Sequence, residues 1–343
     1  IGLGERNLSM ATLKDVAKLA NVDISTVSRA LNNTSYVHPD TKKKIFAAVE
    51  QLSYKPNLLT KGLHQGKHQT IGIVVPSINL NVFGEIVQEI EIRARKLGYS
   101  ILICNTQDRP DVEEECLTRL RNGLVDGIII ASTGQNGRML RNIKSDGLSV
   151  VQMVRMQDKN FSSVVANYYA SGYKGVKYLA ARGCLHIGFV GAIEFLVPYK
   201  ERYRGYSKAI KELKYQEYRV NFEVGSDDEG YFQNGYAAVG QLLQMQPKLD
   251  GIMVATDMQG LGVIRALNEA GISVPGQIRV MSLTGHSIGG MLETTITSME
   301  MPAKDMGRRL VEMIIEDIKA KPGEKPSIQH VVFDTTLVER EST

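Results

Sequence analysis

Residues 12–32, T-L-K-D-V-A-K-L-A-N-V-D-I-S-T-V-S-R-A-L-N, carry the spacing that points most directly to chemistry, and that chemistry is recognition rather than bond-making. Elsewhere no Ser/His/Asp or Cys/His set has supporting context, and no GxGxxG or P-loop stands at a strand–helix junction. Leu13, Val16, Ala17 and Ala20 recur at i, i+3, i+4 and i+7 and predict one short helix with a single apolar face. Thr12 precedes it as an N-cap, with Asp15 three residues on in a weaker form of the capping box. A second helix opens near Ile24 and turns Val27, Ala30 and Leu31 inward. Only Asn21, Val22 and Asp23 separate the two, and Asn enters the left-handed conformation more cheaply than most residues. So tight a pair is a helix-turn-helix, whose second helix lies in the DNA major groove. The same pattern also suits an ordinary αα-hairpin in a core, and the residues that follow decide between the two.

A third helix begins at Pro39, with Asp40 at its positive start and Ile45, Phe46, Val49 and Leu52 along one side. Residues 1–68 hold ten Lys/Arg against five Asp/Glu, a net charge of +5, while the whole chain is +4 and the remainder therefore −1. Basicity concentrated at one end is an electrostatic footprint for phosphate.

Residues 54–66 read Y-K-P-N-L-L-T-K-G-L-H-Q-G. Together with D-V-A at 15–17 and T-V-S-R-A-L-N at 26–32, the Y-x-P-N at 54–57 followed by Leu63 makes the chain similar to the LacI family of bacterial transcription repressors, from Met10 to the C-terminus. The resemblance implies a homodimer on palindromic double-stranded operator DNA, controlled by a small-molecule effector from carbohydrate metabolism (a sugar or sugar phosphate). It implies that Ile24, Ser25 and Arg29 read base edges, Arg29 pairing bidentately with a guanine. Thr26 and Ser28 would hold phosphates and fix register, and Thr12, Asn32 and Tyr54 complete the DNA-facing set. Residues 57–64 would form a hinge helix that folds when two subunits meet on an operator, with Asn57 and Thr60 as contacts. Leu63 would wedge between central base pairs from the minor groove. Thr60, Lys61 and Gly62 depart from the family's Ala-Arg-x pattern, and Thr60 and Gly62 lower helix propensity.

After Lys67 the pattern changes. Apolar runs at 71–75, 101–104, 127–131, 150–154, 187–190, 251–255 and 278–283 alternate with amphipathic stretches at 83–97, 113–122, 170–182, 203–213 and 260–270. That alternation predicts an α/β fold with parallel sheets covered on both faces. About 270 residues exceed one such core, so two lobes are expected. The resemblance supplies a two-lobed periplasmic-binding-protein-like arrangement with three chain crossings, placed near 166–169, 297–300 and 325–328. The expected domains are 10–56 for the helix-turn-helix, 57–68 for the hinge, and 69–343 for effector binding and dimerisation. Within the last, one lobe spans 69–167 and 299–326 and the other 168–298 and 327–343.

Ligands of open α/β sheets bind beyond the carboxyl ends of strands. This selects Asn79, Asn81, Phe83, Ser132, Arg155, Arg202, Asp257 and Thr284 as candidate effector contacts. By resemblance, Arg202 in E-R-Y-R-G-Y grips effector hydroxyls, Asp257 stands in A-T-D where the family has A-N-D, and Phe83 walls the pocket. Arg155 replaces an Asp that binds sugar hydroxyls in many members, and Thr284 and Gly285 stand where paired Asp residues are common. A pocket that loses acids and gains a cation suits an anionic effector, unless Arg155 pairs internally with Asp257 or Glu201.

The stretches 83–97 and 113–122 are expected at the dimer interface, and no leucine heptad follows Val338. Cys104, Cys116 and Cys184 are isolated and lack metal spacing, which fits a reducing cytoplasm. No signal peptide and no membrane-spanning apolar run is read. No cofactor, no metal, no catalytic residue and no membrane partner are expected. Two other readings stand beside the repressor: a sugar-binding transport-type protein, and a regulator answering a phosphorylated carrier protein through Arg138 and Arg141 or Arg308 and Arg309.

Overall fold

The computed structural model describes residues 11–32, 35–54, 68–192, 196–222, 228–285, 287–320 and 327–343. The chain divides into two compact units, Ile1–His68 and Gln69–Thr343.

In the first unit, α1 (Leu13–Ala20) starts from a complete capping box. The Thr12 hydroxyl accepts the Asp15 N–H at 3.3 Å, and the Asp15 carboxylate accepts the Thr12 N–H at 2.8 Å. Asn21 ends the helix in the left-handed region at φ 54°. α2 (Ile24–Asn32) follows, its first free N–H groups at Thr26 and Val27 donating to the Asp23 carbonyl. Pro39 opens α3 (Pro39–Gln51). Val16, Ala17, Ala20, Val27, Ala30, Ile45 and Ala48 form the core, and so many alanines let three short helices approach closely. Phe46, expected in that core, is 47% exposed. Ile45, Ala48, Val49 and Leu52 already fill the i, i+3, i+4, i+7 face, and Phe46 lies about 100° around the helix from it.

The second unit begins with β1 (Thr70–Val75), α4 (Asn81–Lys96), β2 (Ser100–Asn105), α5 (Pro110–Arg121), β3 (Gly127–Ile130), α6 (Gly137–Ser145), β4 (Ser149–Met153) and β5 (Ser162–Ala166). A second lobe follows with α7 (Tyr168–Ala181), β6 (Ile187–Ala192), α8 (Val197–Leu213), β7 (Tyr218–Phe222), α9 (Asp228–Met245), β8 (Gly251–Val254), α10 (Asp257–Glu269), β9 (Arg279–Ser282) and β10 (Thr297–Glu300). The chain then returns to the first lobe for α11 (Ala303–Lys319) and β11 (His330–Phe333), and ends in the second with β12 (Thr336–Val338).

The first sheet runs β11-β5-β4-β3-β1-β2 with every pair parallel. The second runs β12-β10-β9-β8-β6-β7, parallel except for its last strand, β12. Each lobe thus reverses strand order beside its first strand. β4, β8 and the inner faces of their neighbours bury Val and Ile runs against helices, as the apolar runs require. β2 is the exception among those runs. It is an edge strand, with Leu102 and Ile103 39% and 37% exposed.

The third crossing is not near 325–328. β11 still pairs with β5, Val331 opposite Val164, so the chain changes lobe at Asp334–Thr335. The second crossing follows Glu300, because β10 belongs to the second sheet and α11 packs on α4. Two pairs of glycines govern how closely the second lobe's helices pack. A Cβ on Gly172 of α7 would lie 2.0 Å from the Arg202 carbonyl oxygen of α8, and one on Gly205 would lie 2.1 Å from the Tyr169 carbonyl. Gly235 and Gly262 join α9 to α10 in the same way. The Gly172→Ala variant should therefore lose about 1–3 kcal/mol by forcing α8 outward. Urea unfolding followed by far-UV circular dichroism reads this as a lower midpoint, and an unchanged midpoint would show that the helices have room to part.

Candidate functional site

On α2, Ile24 is 46% exposed, Ser25 and Arg29 are exposed, and Thr26 and Ser28 are half-buried. The Arg29 guanidinium lies back along its own helix, Nε donating to the Ser25 carbonyl at 3.2 Å and Nη2 to the Ser25 hydroxyl at 3.2 Å. Exposed contacts of this kind contribute little, so the guanidinium can exchange them for a base edge. The Thr12 hydroxyl is engaged as the α1 cap, donating to Asp15 Oδ2 at 2.7 Å. Tyr54 is half-buried against the three-helix core. The Asn32 side chain, Asn57, Thr60, Leu63 and the hinge helix at 57–64 lie outside the described residues.

The second unit holds a cleft between its lobes, with about 620 Å³ of empty space including the solvent at its mouth. Its walls are the residues that follow strand ends. Leu80 to Phe83 come after β1, Val154 and Arg155 after β4, and Pro198, Tyr199 and Arg202 after β6. Thr256 to Met258 follow β8, Thr284 follows β9, and Met301 follows β10. Asn81, Phe83, Arg155, Arg202, Asp257 and Thr284 are thus brought together as expected. Asn79 is exposed outside the cleft. Ser132 is buried elsewhere, its hydroxyl donating to the carboxylate of Glu113 at 3.1 Å. That carboxylate also accepts the Thr133 N–H at 2.7 Å and the Asn136 amide at 3.1 Å, so Ser132 serves to fasten the loop after β3.

Arg155 enters the cleft from a strained turn. Val154 has φ 63°, rare for a β-branched residue, and the Arg155 N–H donates to the Met153 carbonyl two residues back at 2.6 Å. The Tyr168 hydroxyl holds the turn by donating to the Val154 carbonyl at 2.7 Å. The Arg155 guanidinium is 3% exposed and meets neither Asp257 nor Glu201. It forms a two-pronged pair with Asp108, Nη1–Oδ1 2.5 Å and Nη2–Oδ2 2.9 Å. Burial disfavours its charge, but the hydrogen bonds and charge of Asp108 outweigh burial and raise its pKa above the ordinary arginine value. Asp108 lies 47 positions from Arg155, in a turn where Gln107 and Asp108 both adopt positive φ, and nothing local in the sequence announces it.

Arg202, 4% exposed, is placed differently. Its guanidinium lies over the Tyr168 ring, 4.9 Å from the centroid, and Nη2 reaches Met301 Sδ at 3.8 Å. Burial lowers its pKa. Two tyrosines missed by pattern reading share the wall: the Tyr199 hydroxyl donates to the Tyr231 hydroxyl at 2.9 Å, and burial raises both pKa values. Thr284 donates its hydroxyl to the Ala255 carbonyl at 2.5 Å, and Asp257 accepts the Gly285 N–H at 3.2 Å. Tyr199 follows Pro198 in the first turn of α8, and Tyr231 stands in the first turn of α9, both positions that strand-end reasoning could have reached.

A groove-reading helix pair together with a ligand cleft between two parallel-sheet lobes defines a DNA-binding transcription regulator. Residues 12–57 match the family model described as bacterial regulatory proteins, lacI family, and residues 176–343 match a periplasmic binding protein-like domain. The chain is 31% identical over 338 residues to the HTH-type transcriptional regulator RegA of Clostridium saccharobutylicum, covering 97% of this chain and 100% of the relative. It is 30% identical over 298 residues to catabolite control protein A of Priestia megaterium, covering 86% and 89%. A crystal structure of the lac repressor dimer bound to operator and an anti-inducer shares the fold at TM-score 0.83, with 22% identity and 97% and 98% coverage. The chain belongs to the LacI family of bacterial regulatory proteins.

Removing one partner of a buried ion pair leaves the other uncompensated. Asp108→Ala should therefore cost about 3–5 kcal/mol, and the double variant Asp108→Leu/Arg155→Met should recover most of it. Chemical unfolding of the three proteins makes the comparison, and equal losses in single and double variants would show that the pair contributes packing alone.

Proposed function

We propose that the protein is a homodimeric repressor that binds palindromic operator DNA and is controlled by a small-molecule effector held between the lobes of its second unit. The observation that carries this reading is the presence, in one chain, of an exposed Ile24–Ser25–Arg29 edge on α2 and a walled cleft at the carboxyl ends of two parallel sheets. The three crossings, after Ala166, after Glu300 and at Asp334–Thr335, are the segments about which lobes can close on a ligand. An effector that prefers one lobe arrangement shifts the population toward it, and operator binding responds by the same coupling free energy. Kinship with a ribose operon repressor supports an effector from carbohydrate metabolism. The argument for an anion from Arg155 falls away, because Asp108 already neutralises it.

Self-association is supported by the β2 edge. Leu102 and Ile103 there are large apolar side chains on an open strand edge, which needs a cover. A second copy supplies one and presents two reading helices to the two half-sites. Membership of a family of transcription regulators supports recognition as the role of the cleft. No described helix is long and apolar enough to cross a membrane, and the working location proposed is the cytoplasm. The carrier-protein reading is not favoured: Arg141 pairs with Asp158, Arg308 with Asp305 and Arg309 with Glu312, as ordinary surface charge does.

Two measurements test this function. Arg29→Ala should cost about 1–3 kcal/mol at one base pair of a selected operator and relax specificity there, read by fluorescence anisotropy. An equal loss on random DNA would assign Arg29 to phosphate. Ile103→Arg should turn the dimer into a monomer in sedimentation velocity and weaken operator binding by on the order of 10²-fold or more. A dimer that persists with operator affinity intact would place the interface elsewhere.

A further inference from the structure

The cleft contains eight polar side chains, yet most are already committed to the protein. Arg155 is matched by Asp108. Tyr199 donates to Tyr231, Thr284 to the Ala255 carbonyl, and Thr256 caps α10 through Gln259. Asp257 accepts the Gly285 N–H. Arg202 stands apart. Among the described residues it forms no ion pair, its Nε has no hydrogen-bond partner, and its one polar contact is the Met301 sulfur. The rest of the lining is Leu80, Val82, Phe83, Val154, Pro198, Met258 and Met301.

Resting on the reading of the cleft as the effector site, we infer that its ligand is a small monocarboxylate with few hydroxyls, its carboxylate on Arg202 and its body against the apolar wall. A buried guanidinium with no ion pair is costly in low dielectric even though the charge of Asp257 on the same wall favours it, and a ligand carboxylate meets it with two parallel N–H···O bonds. A neutral sugar brings four or five hydroxyls, each costly to bury without a partner. Arg155, Tyr199, Thr256 and Thr284, which could receive some of them, are engaged within the protein. A phosphate ester carries about −1.5 to −2 at pH 7. One guanidinium cannot balance that charge, Arg155 is already neutralised, and the Asp257 carboxylate lies on the same wall. A single negative charge on a sparsely hydroxylated body fits both the charge and the surface.

The test is thermal unfolding of the full chain with sodium benzoate, its neutral counterpart benzamide, D-glucose and D-glucose 6-phosphate, each in millimolar excess, in the native protein and in Arg202→Met. A ligand bound only by the folded state raises the transition temperature. Benzoate should raise it by a few degrees while the other three do not. Arg202→Met should abolish the benzoate shift and also raise the ligand-free transition temperature, because it removes a charge that burial disfavours. A role for Arg202 in holding the fold would lower that temperature instead. The inference is overturned if benzoate gives no Arg202-dependent shift, if glucose or its phosphate stabilises and benzoate does not, or if Arg202→Met is destabilised without ligand. Operator binding separates the two layers. A carboxylate that binds through Arg202 but leaves operator affinity unchanged sinks the effector reading and leaves the ligand class standing. A neutral sugar that binds in the cleft and releases operator keeps the effector reading and sinks the ligand class.

Discussion

Parallel pairing of strands delivers every carboxyl end in a sheet to the same edge, and in this protein both lobes use that constraint identically. Each sheet reverses order beside its first strand, β2-β1-β3 in one lobe and β7-β6-β8 in the other. A crevice opens where successive connections leave toward opposite faces. The backbone groups of the strands are satisfied within the ladders, so the segments just beyond them are free to carry chemistry. Residues 154–155, 256–258, 284 and 301 occupy such positions, and all of them line the cleft. Met301 has a double role. It begins the second crossing between lobes and touches Arg202, so a ligand drawn to that guanidinium acts on a segment that must move if the lobes close.

The two buried arginines of the cleft show how position alters the meaning of one residue type. Both are held in low dielectric. Arg155 is anchored by a positive-φ turn, a tyrosine hydroxyl and a two-pronged carboxylate, and its charge is spent inside the protein. Arg202 rides on α8, brought close to α7 by Gly172 and Gly205, and faces an aromatic ring and a sulfur. The glycine contacts fix the helix, and the helix fixes the guanidinium. The first unit follows a lighter design. Its alanine-rich core is small, α1 starts from a capping box, and the exposed Arg29 of α2 makes only weak contacts with its own helix.

Much of this architecture was legible in the residues alone. The α1 cap, the left-handed Asn21, the tight joint to α2 and the start of α3 at Pro39 are decided by interactions within a helical turn, and local spacing displays them. Seven apolar runs correspond to strands, and all but β2 are buried, since a strand covered on both faces must be continuously apolar. Six of the eight cleft residues read from strand ends do line the cleft. Short or amphipathic strands such as β7, β11 and β12 carry no comparable signal, and Phe46 is exposed because its angle on the helix sets it off the apolar face.

What tertiary structure decided is the set of partners far apart in the chain. Asp108 reaches Arg155 across 47 positions, and Glu113 takes Ser132 out of the cleft. β11 joins a strand some 167 residues earlier, which moves the last crossing to Asp334–Thr335. β2 shows its apolar side chains at an edge that strand periodicity cannot distinguish from a sheet's interior. The amino-acid order determines periodicity, caps and turns because those depend on near neighbours. Which buried charge is paired, and which is not, depends on groups that only folding brings within hydrogen-bonding distance.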